Sequence, residues 1–194
     1  MMRQNPLLPK PFIQLLVELI EMVIDAVELL MIEHLQCKSM KDLQEKSGDY
    51  DRFVNFHEFL LNVHIVVEEK VVFPSLSSPL WDDSRNYKEK IKQIAADHKL
   101  LDKLAQNLIR WKDGGNEELY NTRMPLYYSL LTEHNGREEA ELFHRWRSLD
   151  ESVYKSTSRE IYNIISSFGI DKYRQAMNFS ESIFRYVFHE VSSL

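Results

Sequence analysis

The chain is poor in cysteine, glycine and proline: one, five and six residues respectively out of 194. A lone Cys37 cannot form an intrachain disulfide, so no disulfide framework staples this fold, and such usage fits a reducing cytoplasm. Scarce Gly and Pro, with no alternating Val/Thr-rich stretch, argue against a sheet with its many tight turns and for long helices. Positive charge is also in deficit. The formal net charge is -6, the wrong sign for a surface that holds phosphates, which argues against nucleic acid as a partner. There is no glycine-rich phosphate loop and no His-Glu-x-x-His zinc-protease motif.

A long uncharged run is missing too. The most apolar stretch, Phe12 to Ile32, carries Glu18, Glu21, Asp25 and Glu28. Several carboxylates in a span of that length make membrane insertion very costly. Their spacing stacks them on one helical face, which predicts an amphipathic packing helix and no membrane partner. No small-residue cleavage site follows a short apolar core, so a signal peptide is not expected.

What is present is helical periodicity. A first helix is expected from about Phe12 to Lys46, with a break near Met31, stopped by Ser47-Gly48-Asp49, and a second from Tyr50 to Val72, closing before Pro74. Ser75 to Asn86, rich in Ser, Pro and Asp, reads as a loop. A third helix is expected from Tyr87 to Lys112, ended by Gly114-Gly115. Asn116 with Glu117 and Glu118 looks like the cap and acidic first turn of a fourth, reaching Ser148 and kinked at Pro125. Asp150 to Leu194 holds two more helical stretches separated near Gly169. The fold class is all-α, an antiparallel bundle. Its divisions are an N-terminal helical extension over 1–29, a metal-binding bundle over 30–148 and a C-terminal helical extension over 149–194.

The most informative feature is an internal repeat. Residues 33–69 begin Glu33-His34 and end His64-x-x-x-Glu68-Glu69. Residues 97–139 begin Asp97-His98 and end His134-x-x-x-Glu138-Glu139. Residues i and i+4 of a helix share a face, so each His-x-x-x-Glu aims an imidazole and a carboxylate at a common point. At about 1.5 Å rise per residue, all four histidines stand roughly 20–27 Å from their hairpin tips, level across the bundle. A single such motif is weak evidence for metal. Two at matched height are strong, because four histidines and two glutamates in a core would otherwise be expensive polar burial. The donors His34, His64, Glu68, His98, His134 and Glu138 suit a borderline metal such as iron and are too nitrogen-rich for calcium or magnesium; manganese and zinc also accept such ligands. Gly136, between two of them, is expected to permit close backbone approach.

The segments His34…His64-Ile-Val-Val-Glu68-Glu-Lys-Val-Val-Phe-Pro and His98…His134-Asn-Gly-Arg-Glu138-Glu-Ala-Glu-Leu-Phe resemble the hemerythrin-like, or HHE cation-binding, domain family. The resemblance implies an up-and-down four-helix bundle with a bridged di-iron centre of the Fe-O-Fe type, held by those same six residues. Oxygen-carrying hemerythrins have a second histidine four residues after the third-helix ligand and an aspartate five after the fourth-helix one. This chain has Asp102 and Glu139 there, so it looks like the HHE branch and not the oxygen carriers. A ferritin-like di-iron pattern fits less well, since it needs two Glu-x-x-His motifs and only Glu141 to His144 is found.

Other residues are secondary candidates. His57 and Tyr127 lie seven before His64 and His134, on the ligand face, where they could line a pocket. Asp102, four after His98, could add a carboxylate or buttress a ligand. Cys37 reads as a small core residue, and His144 and His189 as structural or exposed. The expected function is a non-haem di-iron protein that binds or senses O2, NO or a reactive species such as peroxide, with or without turnover. The alternatives are iron storage or donation, and a helical interaction or regulatory module with a structural metal, whose extensions could form a homodimer interface or cover the bundle.

Overall fold

The computed structural model describes residues 20–22, 25–77, 84–146 and 148–190. Among these residues the chain forms seven helices and one pair of short strands. Helix α1 spans Ala26–Ser47, α2 residues 50–76, α3 Ser84–Asp113 and α4 residues 117–146. The tail contributes α5 (Glu151–Phe168), α6 (Ile170–Ala176) and α7 (Glu181–Val187). Strand β1 (Ile20–Met22) pairs antiparallel with β2 (Phe188–Glu190). None of the described helices is long and apolar enough to cross a membrane.

Local chemistry sets the helix ends. Gly48 adopts a left-handed conformation (φ 61°) that favours glycine and returns its N–H to the Gln44 carbonyl. The Asp49 carboxylate accepts from the Arg52 N–H to open α2, and the Asn116 side chain accepts from the Leu119 N–H to open α4. These two tight turns make α1–α2 and α3–α4 antiparallel hairpins, and the two hairpins pack as a four-helix bundle. Buried aromatic and aliphatic side chains such as Phe53, Phe56, Tyr120, Leu108 and Trp146 fill its interior, each stabilising by roughly 1.5–3 kcal/mol.

Several expectations need correction. The helix predicted from Phe12 begins only at Ala26. Residues 20–22 are extended, and Asp25, expected on a helical acid stripe, instead caps α1 by accepting from the N–H groups of Val27 and Glu28. Once begun, α1 runs through Met31 without a break. The remainder of that predicted segment, residues 12–19 and 23–24, lies outside the described residues, as do Trp81, Asp82 and Asp83. Helix α2 does not close before Pro74 but continues to Leu76. A π turn over Glu68–Val72 precedes the proline and widens the coil where the ring must fit. Two further π turns, Leu60–His64 and Glu139–Phe143, were not foreseen. Helix α3 begins at Ser84, inside the predicted loop. Helix α4 passes through Pro125.

The tail holds three helices where two were predicted. Gly169, at φ 104°, permits the first break as expected, and Asn178, at φ 50°, sits at the second. Helix α5 packs on α1 and α2, burying Ile161 and Ile165. The Tyr186 hydroxyl donates to Glu28 on α1, 2.6 Å away, and Lys172 pairs with Glu58 on α2. The tail therefore covers the first hairpin.

Candidate metal centre

Each hairpin lifts two histidines and one glutamate to the same level of the core. His34, His64, Glu68, His98, His134 and Glu138 are all buried, at 0–3 % exposure, and their functional atoms converge. The i, i+4 pairs face as helix geometry requires: His64 Nε2 is 3.2 Å from Glu68 Oε1, and His134 Nε2 is 3.3 Å from Glu138 Oε2. The cross-bundle distances are as short. His98 Nε2 lies 3.2 Å from Glu68 Oε2, and His34 Nε2 lies 3.5 Å from Glu138 Oε2. These atoms form two adjacent donor groups, His34–His64–Glu68–Glu138 and Glu68–His98–His134–Glu138, with the atoms of each group within 4.8 Å of one another. Both glutamates belong to both groups. A carboxylate has two oxygens, so Glu68 and Glu138 can each serve two ions.

The cluster is short of partners. Nε2 of His34, His64 and His98, and both oxygens of Glu68 and Glu138, are buried without a hydrogen bond. So many orphaned lone pairs aimed at one region would be costly, and cations held there would satisfy them.

The outer nitrogens explain the acids of the repeat. His64 Nδ1 lies 2.6 Å from Glu33 Oε2, and His134 Nδ1 lies 3.5 Å from Asp97 Oδ2. Thus the acid before the first histidine of each hairpin faces the second histidine of the same hairpin. The glutamate after each ligand reaches across the bundle instead: Glu69 sits 2.8 Å from His98 Nδ1, and Glu139 sits 2.9 Å from His34 Nδ1. At His34, His64 and His98, with Nδ1–H donating outward, the Nε2 lone pair points inward. Phe73 and Phe143, five residues after Glu68 and Glu138, stack on His98 and His34. The repeat therefore extends beyond the six inner donors. Glu33, Glu69, Asp97 and Glu139 were missed as supporting residues, although the repeated acids were their signal.

Burial and the facing carboxylates pull the proton affinities of these histidines in opposite directions. Burial disfavours charge on His34, yet the facing Glu138, Glu139 and Glu68 carboxylates raise its pKa well above the ordinary value. His64 is raised likewise, burial being outweighed by Glu68 and Glu33. His98 reaches about 9, burial being outweighed by Glu68 and Glu69. Burial, aided by the neighbouring histidines, pushes His134 down to about 3. Burial and the Glu68 charge push Glu138 up to about 7.

The three secondary candidates come together in one small pocket. His57, Asp102 and Tyr127 line it with His64, His134, Leu60, Ile65, Leu101 and Leu131, and ≈ 10 Å³ is open to the centre of a water-sized molecule. That is room for about one such molecule. Asp102 is not among the donor groups; its Oδ1 lies 3.4 Å from His57 Nε2. The Tyr127 hydroxyl is 3.4 Å from His57 Nδ1. Cys37 is buried, and burial with the Glu33 charge pushes its thiol well above the usual range, so it is inert packing. His144 meets the Tyr87 hydroxyl at 3.0 Å. A Cβ on Gly136 would meet nothing within 4 Å, so close backbone approach is not the reason for that glycine.

The family model for the Hemerythrin HHE cation binding domain matches residues 16–146, starting upstream of the resemblance read from the motifs. No curated protein and no solved structure matches the chain significantly.

Proposed function

Because the chain belongs to the hemerythrin HHE cation-binding family, we propose that its buried cluster holds two iron ions and that this centre binds or senses O2, NO or a reactive species such as peroxide. The observation that carries the reading is the sharing of Glu68 and Glu138 by two adjacent donor groups beside a pocket sized for one small molecule. Ferrous iron, when bound, supplies electrons and an open position to such a ligand. The chain supplies the rest. His34, His64, His98 and His134 present neutral nitrogens, the two glutamates offset the cations' charge, and the outer carboxylates hold the rings in orientation. Leu60, Ile65, Leu101 and Leu131 exclude bulk water from the pocket. His57, its pKa lowered by burial against the opposing pull of Asp102, stands neutral there with the Tyr127 hydroxyl as a hydrogen-bonding group for the ligand.

The test is elemental analysis of protein purified without added metal, followed by anaerobic titration of the ferrous form with O2 and NO. Iron near two equivalents per chain and a new visible band on titration are expected. A protein that loads only zinc, or a ferrous form inert to both gases, refutes the proposal. A regulatory module with a structural metal is the second reading, favoured by the tail helices seated on the first hairpin. It requires that chelation unfold the chain while no gas reacts.

A further inference from the structure

The four histidine-facing carboxylates are not alike. Glu69, Glu139 and Asp97 have side chains that are 44 %, 34 % and 23 % exposed, so water can solvate what the histidine leaves unsatisfied. Glu33 is fully buried. Its Oε2 faces His64, and its Oε1 accepts a hydrogen bond of 2.7 Å from the Tyr173 hydroxyl. Tyr173 lies on α6, 140 residues away in sequence, and is itself fully buried, held between the rings of Phe59, Phe179 and Phe188. Burial and the Glu33 charge keep its hydroxyl protonated and therefore a donor.

We propose that Tyr173 is a positioning residue for the His34–His64 half of the centre, and that the chain Tyr173–Glu33–His64 links occupancy of that half to docking of the C-terminal helices. This rests on the metal-binding reading above. A cation on His64 Nε2 makes the Nδ1–H a stronger donor and fixes the ring, which fixes Glu33 as the anion that Tyr173 addresses. Removing the cation unties the ring at Nε2 and so loosens both bonds. Linkage then demands reciprocity: the factor by which metal favours tail docking is the factor by which the docked tail favours metal.

The experiment uses the full chain, loaded with ferrous iron or stripped by chelation, and reads amide hydrogen exchange over residues 170–188 together with iron affinity by chelator competition. In the wild type, stripping should speed exchange in that segment about tenfold, an effect of the size seen when an outer partner of a ligand is lost. Tyr173→Phe keeps the ring and its packing. It should abolish the metal dependence of tail exchange and weaken one of two iron affinities by a similar factor. Glu33→Gln should do the same. Met177→Ala is the control, since Met177 is fully buried on the same segment but outside the hydrogen-bond chain. It should speed exchange in both states and preserve the ratio between them. Tail exchange in the wild type that ignores metal overturns the proposal, as does a Tyr173→Phe protein that keeps the wild-type ratio or a Met177→Ala protein that loses it. A wild type that binds no iron at all overturns the metal-binding reading, and this inference with it.

Discussion

The two hairpins carry the same motif yet treat their second histidine differently. In the first, His64 faces Glu33 at 2.6 Å, and Glu33 takes its other bond from the neutral hydroxyl of Tyr173. In the second, His134 faces Asp97 at 3.5 Å, and Asp97 is paired with the cationic Arg137. Arg137 occupies the position that Val67 holds in the first repeat. A guanidinium draws the carboxylate's charge away from the imidazole, whereas a tyrosine hydroxyl leaves it in place. Donor identity and donor strength are therefore set by different residues. Two donor groups with the same atoms can hold ions of unequal affinity.

The largest effect should come from removing what the halves share. Glu68→Ala deletes a donor from both groups and should lower affinity for both ions by more than the roughly 10–100-fold that loss of an outer partner costs. Chelator competition would show it, and a variant that still loads two ions tightly would break the premise that Glu68 serves both. Next come the unequal partners. Glu33→Gln should cost the His34–His64 ion about 10–100-fold, while Asp97→Asn should cost the other ion less than about tenfold. Equal losses would erase the distinction between the hairpins.

Acidity offers a third handle. The facing carboxylates raise the proton affinity of His34, His64 and His98, that of His98 to a pKa of about 9, so protons compete for the cluster. An incoming cation must expel them. Loading should therefore release protons into weakly buffered solution, and affinity should rise as pH goes from 6 to 9. The sign follows from the raised values: below them the proton competes with the ion, and above them it does not. His134, pushed down to about 3, should contribute no such release. Loading without net proton release would contradict this picture.

The helical class, both tight turns and the six inner residues were legible because each depends on local spacing. The i, i+4 rule places His64 with Glu68 and His134 with Glu138 without knowledge of the rest of the fold. What lay beyond reach depends on how hairpins meet. Glu69 turns to His98 and Glu139 to His34 across the bundle, and no spacing along one helix reveals a partner on the other hairpin. Tyr173 was invisible for the same reason. Its direction is set by the turn at Gly169 and by α6 packing on α2. The start of α1 was misplaced because apolar periodicity upstream outweighed the cap signal of Asp25. The π turns leave no mark in a 3.6-residue pattern.

The smallest effect is the sharpest test of the comparison. Arg137→Val gives the second repeat the side-chain type of the first. The Arg137–Asp97 pair is partly exposed, at 39 % and 23 %, so its loss should cost at most about 1 kcal/mol of stability. Freed from the guanidinium, Asp97 would face His134 as a full anion, and affinity for the His98–His134 ion should rise by a factor of a few. Thermal melting of the ion-free protein and chelator competition would separate the two consequences. A fall in affinity would mean that Arg137 acts by holding Asp97 in place and not by drawing off its charge. The asymmetry between the hairpins would then be one of geometry, with the 3.5 Å gap at His134 as its cause.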